Sequence, residues 1–165
     1  MKYFPFLIAA LMVLSSCGNQ QVTQESFDEI PWMTLTEVDQ ISKKKPRMVL
    51  VDVYTPWCGP CKMMNNSTFK DPELVDYIGK NYHAVKFNAE GPDAITFNGK
   101  EYANPKFRSD LPKNRRNQMH QFTGTLGVRG YPTIVIFDTE LNKVNQVVGY
   151  RTAEQLLEFL KGMEG

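Results

Sequence analysis

Two of the chain's three cysteines stand three positions apart, in the run Tyr54-Thr55-Pro56-Trp57-Cys58-Gly59-Pro60-Cys61-Lys62. Thiols at that spacing can bind a metal, brace a loop, or cycle between dithiol and disulfide. A structural zinc site needs four ligands, supplied by two such pairs or by one pair with histidines. The chain's two histidines, His83 and His120, lie apart, and neither has a second ligand at binding spacing. Both read as surface or satisfied core residues, and no metal site is expected. A disulfide needs Cα atoms roughly 4.4–6.8 Å apart, which positions i and i+3 in the first turn of a helix meet. A helix starting at Cys58 would set that sulfur among unpaired backbone N–H groups at the positive end of the helix, favouring thiolate over thiol. Cys58 is then expected to attack a partner's disulfide. Cys61, one turn deeper and expected to be more buried, would resolve the mixed disulfide. Pro60 falls in the first helical turn, where its missing N–H costs little. Met63 and Met64 read as core filler on the same helix.

The surrounding elements must hold that pair. The run Met48–Tyr54 (MVLVDVY) is apolar except for Asp52, short and β-branched, and predicts a strand buried on both faces. It leads straight into the cysteines, whose helix should run toward Thr68. Pro72 opens a further helix through about Lys80, and residues 83–88 (HAVKFN) predict another strand. Upstream, residues 30–33 read as a short strand. Thr34 and Glu37 form a capping box ahead of Leu35, Val38 and Ile41 at helical spacing. Downstream, residues 95–102 predict a hairpin turning at Asn98-Gly99. Residues 133–137 and 144–148 predict two strands. Thr152 and Gln155 cap a last helix, with Leu156, Phe159, Leu160 and Met163 facing inward. This order implies an α/β sandwich with a mixed sheet.

The length, 165 residues, suits one domain, and 42% hydrophobic content supports a real core. The first residues are set aside as a leader. Lys2 precedes an apolar stretch at residues 4–14, too short to span a bilayer comfortably. Leu14-Ser15-Ser16-Cys17 resembles the lipobox of bacterial lipoproteins, where the leader is cut before a cysteine that carries lipid. That resemblance implies a signal peptide at residues 1–16, acylation of Cys17, a polar tether at residues 17–26 and a domain at residues 27–165. The implied location is the bacterial cell envelope, lipid-anchored and facing the periplasm or another extracytoplasmic side, where disulfides persist. Without residues 1–16 the chain has as many basic as acidic side chains, so nothing recommends nucleic acid as a partner.

With the cysteines placed, Trp57-Cys58-Gly59-Pro60-Cys61-Lys62 is similar to the active-site motif of the thioredoxin family. Asp52 matches the family's buried acid, Lys86 the lysine near it, Tyr131-Pro132-Thr133 the cis-proline loop facing the disulfide, and Gly149 a glycine in the last strand pair. Residues 68–73 look like exported relatives, including the C-terminal domain of the bacterial transmembrane disulfide reductase. The resemblance implies a thioredoxin fold, a central mixed β-sheet flanked by helices, with an insertion at about residues 89–122 before the cis-proline strand.

It also implies the roles. Asp52, with a pKa raised by desolvation, would take the proton from Cys61, and Lys86 would tune that acid. Trp57, Gly59, Pro60, Tyr131 and Pro132 would meet the substrate. Tyr131 would offer its backbone to an extended segment, beside a proline that has no N–H to compete. The redox-active disulfide Cys58–Cys61 would need no further cofactor. Partners would be protein thiols and disulfides, with a membrane or soluble dithiol as electron donor. The Gly-Pro dipeptide is the reductants' choice. Tyr131 replaces the isoleucine or threonine common there, which leaves a disulfide-donating oxidant or isomerase open. A non-catalytic binding module is the alternative from another class. Between Asp93 and Asn117 lie six basic and three acidic side chains, read as a solvated insertion or as a lip that recognises a partner.

Overall fold

The computed structural model describes residues 26–163, so the leader, Cys17 and almost all of the tether lie outside the described residues. Helix α1 (Leu35–Ser42) starts at the Thr34–Glu37 capping box. Strand β1 (Met48–Tyr54) leads to helix α2 (Gly59–Asn66), a 3₁₀ turn (Thr68–Lys70) and helix α3 (Pro72–Asn81). Strand β2 (Tyr82–Asn88) follows, then the hairpin of β3 (Ile95–Phe97) and β4 (Lys100–Tyr102). Its turn residues Asn98 and Gly99 both have positive φ, 51° and 71°, as a two-residue turn of this hand requires. Helix α4 (Gln121–Leu126), strands β5 (Thr133–Phe137) and β6 (Lys143–Val148), and helix α5 (Ala153–Lys161) complete the order. Among the described residues no helix is long and apolar enough to cross a membrane.

The sheet order is β2-β1-β5-β6, with β1 parallel to β2 and the other pairs antiparallel. Alternation along β1 feeds two cores. Val49, Val51 and Val53 pack with Leu35 and Val38 of α1, Phe122 and Leu126 of α4, and the hairpin's Phe97. Leu50 packs on the other face with Met64 of α2, Leu74 and Ile78 of α3, and Leu156 and Leu160 of α5. Asp52 belongs by parity to this second face.

Four expectations shift. Residues 30–33 form only a bridge, Met33 to Val85, because Pro31 lacks an N–H and the chain turns at once into the cap of α1. The cysteine helix stops at Asn66, where Ser67 leaves helical geometry (φ −126°, ψ −66°) and its hydroxyl donates to the Met63 carbonyl. Helix α4 was not anticipated, being six residues long with Gly124 inside it. His120 caps it, its Nδ1 accepting the Phe122 N–H while Nε2 lies 2.9 Å from the Asp93 carbonyl. His83 Nε2 lies 2.8 Å from the Lys45 carbonyl. Both histidines are thus buried and satisfied. Leu157 joins Leu156 and Leu160 as a buried residue of α5, while Phe159 and Met163 pack at its margin.

Candidate active site

Helix α2 begins one residue after Cys58, which makes Cys58 its N-cap with extended backbone (φ −75°, ψ 110°). Its Sγ accepts the Cys61 N–H at 3.1 Å, so a sulfur does what a serine or aspartate oxygen does at most helix starts. The two sulfurs are joined as a disulfide, with Cα atoms 5.3 Å apart. Pro60 sits in the first turn, and both it and Gly59 are exposed.

Burial does not separate the two sulfurs as expected. Cys58 is 3% exposed and Cys61 7%. Cys61 opens onto a cavity of about 360 Å³ lined by Tyr54, Thr55, Lys62, Asn65 and Lys86, and this offsets its deeper position on the helix. The asymmetry of the pair lies in the hydrogen bond: Cys58 receives an N–H from the helix start. Met63 also departs from expectation, being 57% exposed, whereas Met64 is fully buried in the core. Met64 faces the sheet; Met63, a residue earlier, points about 100° away from it.

Register delivers the acid. Asp52 stands opposite Lys86 in the β1–β2 ladder, and Lys86 Nζ reaches Asp52 Oδ2 at 3.2 Å. Asp52 is buried, and its Oδ1 has no hydrogen-bond partner among the described residues. Burial raises its pKa, and the Lys86 charge and hydrogen bond pull it back only in part. Lys86 also donates to Asn65 Oδ1 at 2.7 Å and lies against the rings of Trp32, Tyr54 and Phe69 at 4.9–5.4 Å. Sequence reading missed Asn65. The signal was its position four residues after Cys61, one helical turn along the same face.

The antiparallel register does the same for the proline loop. Thr133 pairs with Val53, so Tyr131 and Pro132 stand at the sheet end where β1 gives way to the cysteines. The Tyr131–Pro132 peptide is cis, and the ladder begins after it, at Thr133. The Pro132 carbonyl accepts the Gly149 N–H at 2.8 Å; Gly149 has φ of 91°, which suits glycine. The Tyr131 ring meets the Trp57 ring edge to face, centroids 5.8 Å apart.

Trp57 is held by residues that sequence reading also missed. Its Nε1 donates to Glu90 Oε2 at 2.8 Å, and the same oxygen accepts the Asn117 N–H at 2.8 Å. The Arg116 guanidinium lies 4.4 Å over the indole. Nothing in the sequence around Glu90 marks it, because the contact depends on where the insertion folds back. Burial raises the Tyr131 pKa, Glu90 raises it further, and Arg116 opposes.

Residues 36–164 match the family model described as a thioredoxin-like domain. The chain belongs to the thioredoxin-like family. It is 26% identical over 151 residues to the thiol:disulfide interchange protein DsbD of Pectobacterium atrosepticum, covering 90% of this chain and 22% of that protein. It is 26% identical over 143 residues to a protein disulfide-isomerase of Datisca glomerata, covering 87% of this chain and 22% of the other. This chain thus spans about a fifth of the length of these relatives. In fold it is similar to a thioredoxin from Thermus thermophilus, with a TM-score of 0.58, 17% identity, and coverage of 82% and 87% of the two chains. The fold of this thioredoxin-like domain is thereby established: a central mixed sheet with helices on both faces, and a disulfide at the start of α2.

Proposed function

We propose that the chain is a thiol–disulfide oxidoreductase that reduces disulfides of exported proteins. The observation that carries this reading is the Cys58–Cys61 disulfide, with Cys58 Sγ as the N-cap acceptor of α2. In the dithiol form that N–H and the helix start stabilise a Cys58 thiolate. The thiolate attacks one sulfur of a substrate disulfide, forming a Cys58–substrate bond and releasing the other substrate sulfur as a thiolate. Asp52 takes the Cys61 proton, directly or through solvent in the adjoining cavity. The Cys61 sulfur then attacks Cys58 Sγ, closes the ring and releases the second substrate thiol. Two electrons pass to the substrate, and a dithiol donor restores the pair. Lys86 holds the Asp52 carboxylate, and Tyr131 beside the cis-proline presents its backbone to the substrate. No organic cofactor enters this cycle.

The likeness to DsbD supports work on the extracytoplasmic side of a bacterial membrane. Acylated Cys17 would hold the domain there. Replacing Cys17 with alanine should move the protein from the membrane to the soluble fraction. The central test is insulin-disulfide reduction together with the Cys61→Ser variant, which should retain a covalent Cys58 adduct; a variant with reactive Cys58 and no adduct refutes the mechanism. Likeness to a protein disulfide-isomerase favours a second reading, disulfide donation or shuffling. A reduction potential above about −150 mV supports that reading, and one near −270 mV supports the reductase.

A further inference from the structure

The arginines of the insertion end beside the redox pair. A groove of about 940 Å³ is lined by Trp57, Arg108, Asn114, Arg115, Arg116 and Gln118, and no acidic side chain lines it. Arg108 is matched within the loop, its Nη2 lying 2.6 Å from Asp110 Oδ2. Arg115 and Arg116 are exposed and make no ion pair among the described residues. Arg116 lies over Trp57, the residue that precedes Cys58. The acid that ties this limb down, Glu90, is only 8% exposed and is engaged by the Trp57 indole and the Asn117 N–H. It fixes the position of Arg116 without entering the groove.

We infer that this groove selects protein substrates whose disulfide is flanked by acidic residues, with Arg115 and Arg116 setting the preference. The inference rests on the reductase reading above and adds the substrate class. Guanidinium groups match carboxylates in charge and in the planar spacing of their donors. An occupant of the groove that touches Trp57 is one residue from Cys58, which suits an extended peptide running on to the sulfur. The chain's net charge is only +1. The attraction is therefore local to this edge and aligns the partner as well as drawing it in.

The test uses the full chain and two cystine peptides alike except for glutamate or serine on either side of the disulfide. At low ionic strength the glutamate peptide should have a kcat/KM on the order of tenfold higher. That ratio should fall toward one in about 0.5 M NaCl, where screening is short-ranged. Arg115→Glu with Arg116→Glu should reverse the preference. Because each ratio is taken within one protein, a loss common to both peptides cancels. A ratio near one in the unaltered protein at low salt, or a ratio the double variant leaves unchanged, overturns the inference. Versions with serine in place of cysteine, followed by tryptophan fluorescence, read the same preference without thiol chemistry. If neither cystine peptide is reduced while the acidic serine version binds more tightly, the reductase reading fails and the acidic preference stands. Equal reduction of both peptides keeps the reductase and removes the groove, and equal binding of the serine versions also counts against it.

Discussion

The two sides of the disulfide are built by different means. On the Cys61 side, Asp52, Lys86 and Asn65 sit on β1, β2 and α2, and the ladder and the helix set their spacing. On the Cys58 side, Trp57, Glu90, Arg116 and Tyr131 come from four connecting segments that meet through side-chain contacts. Regular elements hold the group proposed to move a proton, where small displacements matter most. Loops hold the groups proposed to meet a partner, where variation is tolerated. The division teaches that chemistry and recognition can be disturbed separately.

The largest expected effect falls on the sulfurs themselves. Cys58→Ser should lower disulfide reduction on the order of 10³-fold or more, since it removes the proposed nucleophile. Cys61→Ser should instead leave a mixed disulfide, visible as added mass on non-reducing gels. If the adduct forms in Cys58→Ser, the assignment of the two sides is reversed.

Next is Asp52→Asn. Resolution of the mixed disulfide should slow about a hundredfold at neutral pH, the low end of proton-transfer catalysis. The limb of the pH profile that follows the raised Asp52 pKa should vanish. The same variant should be more stable. The folded-state pKa lies above the unfolded one, so the native protein binds the extra proton between the two values. Stability therefore falls as pH rises through that window, and the deficit persists above it. The gain in Asp52→Asn should be present at neutral pH, where the buried carboxylate would otherwise be charged, and should fade in acid. Urea unfolding at several pH values measures it. A gain independent of pH would remove Asp52's charge from the account.

A smaller effect is expected from Glu90→Leu. It strands the Trp57 indole and the Asn117 N–H, at a stability cost of roughly 1–3 kcal/mol, and should raise KM several-fold more than it changes kcat. A matched fall in kcat would show that the loop side reaches into the chemistry. The smallest is spectroscopic. Glu90→Gln should lower the Tyr131 pKa and Arg116→Ala should raise it, since the first charge disfavours the phenolate and the second favours it. Absorbance titration of tyrosinate reads both, and shifts of the same sign would break the arrangement of that side.

Legibility follows the same division. The helices opened by Thr34 and Thr152, the hairpin at Asn98-Gly99 and the strands around Asp52 were readable because a few neighbouring residues dictate them. Helix α4 escaped notice because six residues are too few for a periodic signal. The near-equal burial of the cysteines also escaped, since it depends on the cavity that Tyr54, Asn65 and Lys86 leave beside Cys61.

What the sequence determined by itself is the pair: two sulfurs one helical turn apart, at the start of a helix that follows a buried strand carrying a single acid. Spacing, capping and apolar alternation act over a few residues and need no distant partner. What only the tertiary structure decided is the company the pair keeps. Lys86 reaches Asp52 across 34 positions of sequence and Trp57 reaches Glu90 across 33. Such contacts depend on strand register and on how a long loop closes, and no local pattern of residues encodes either.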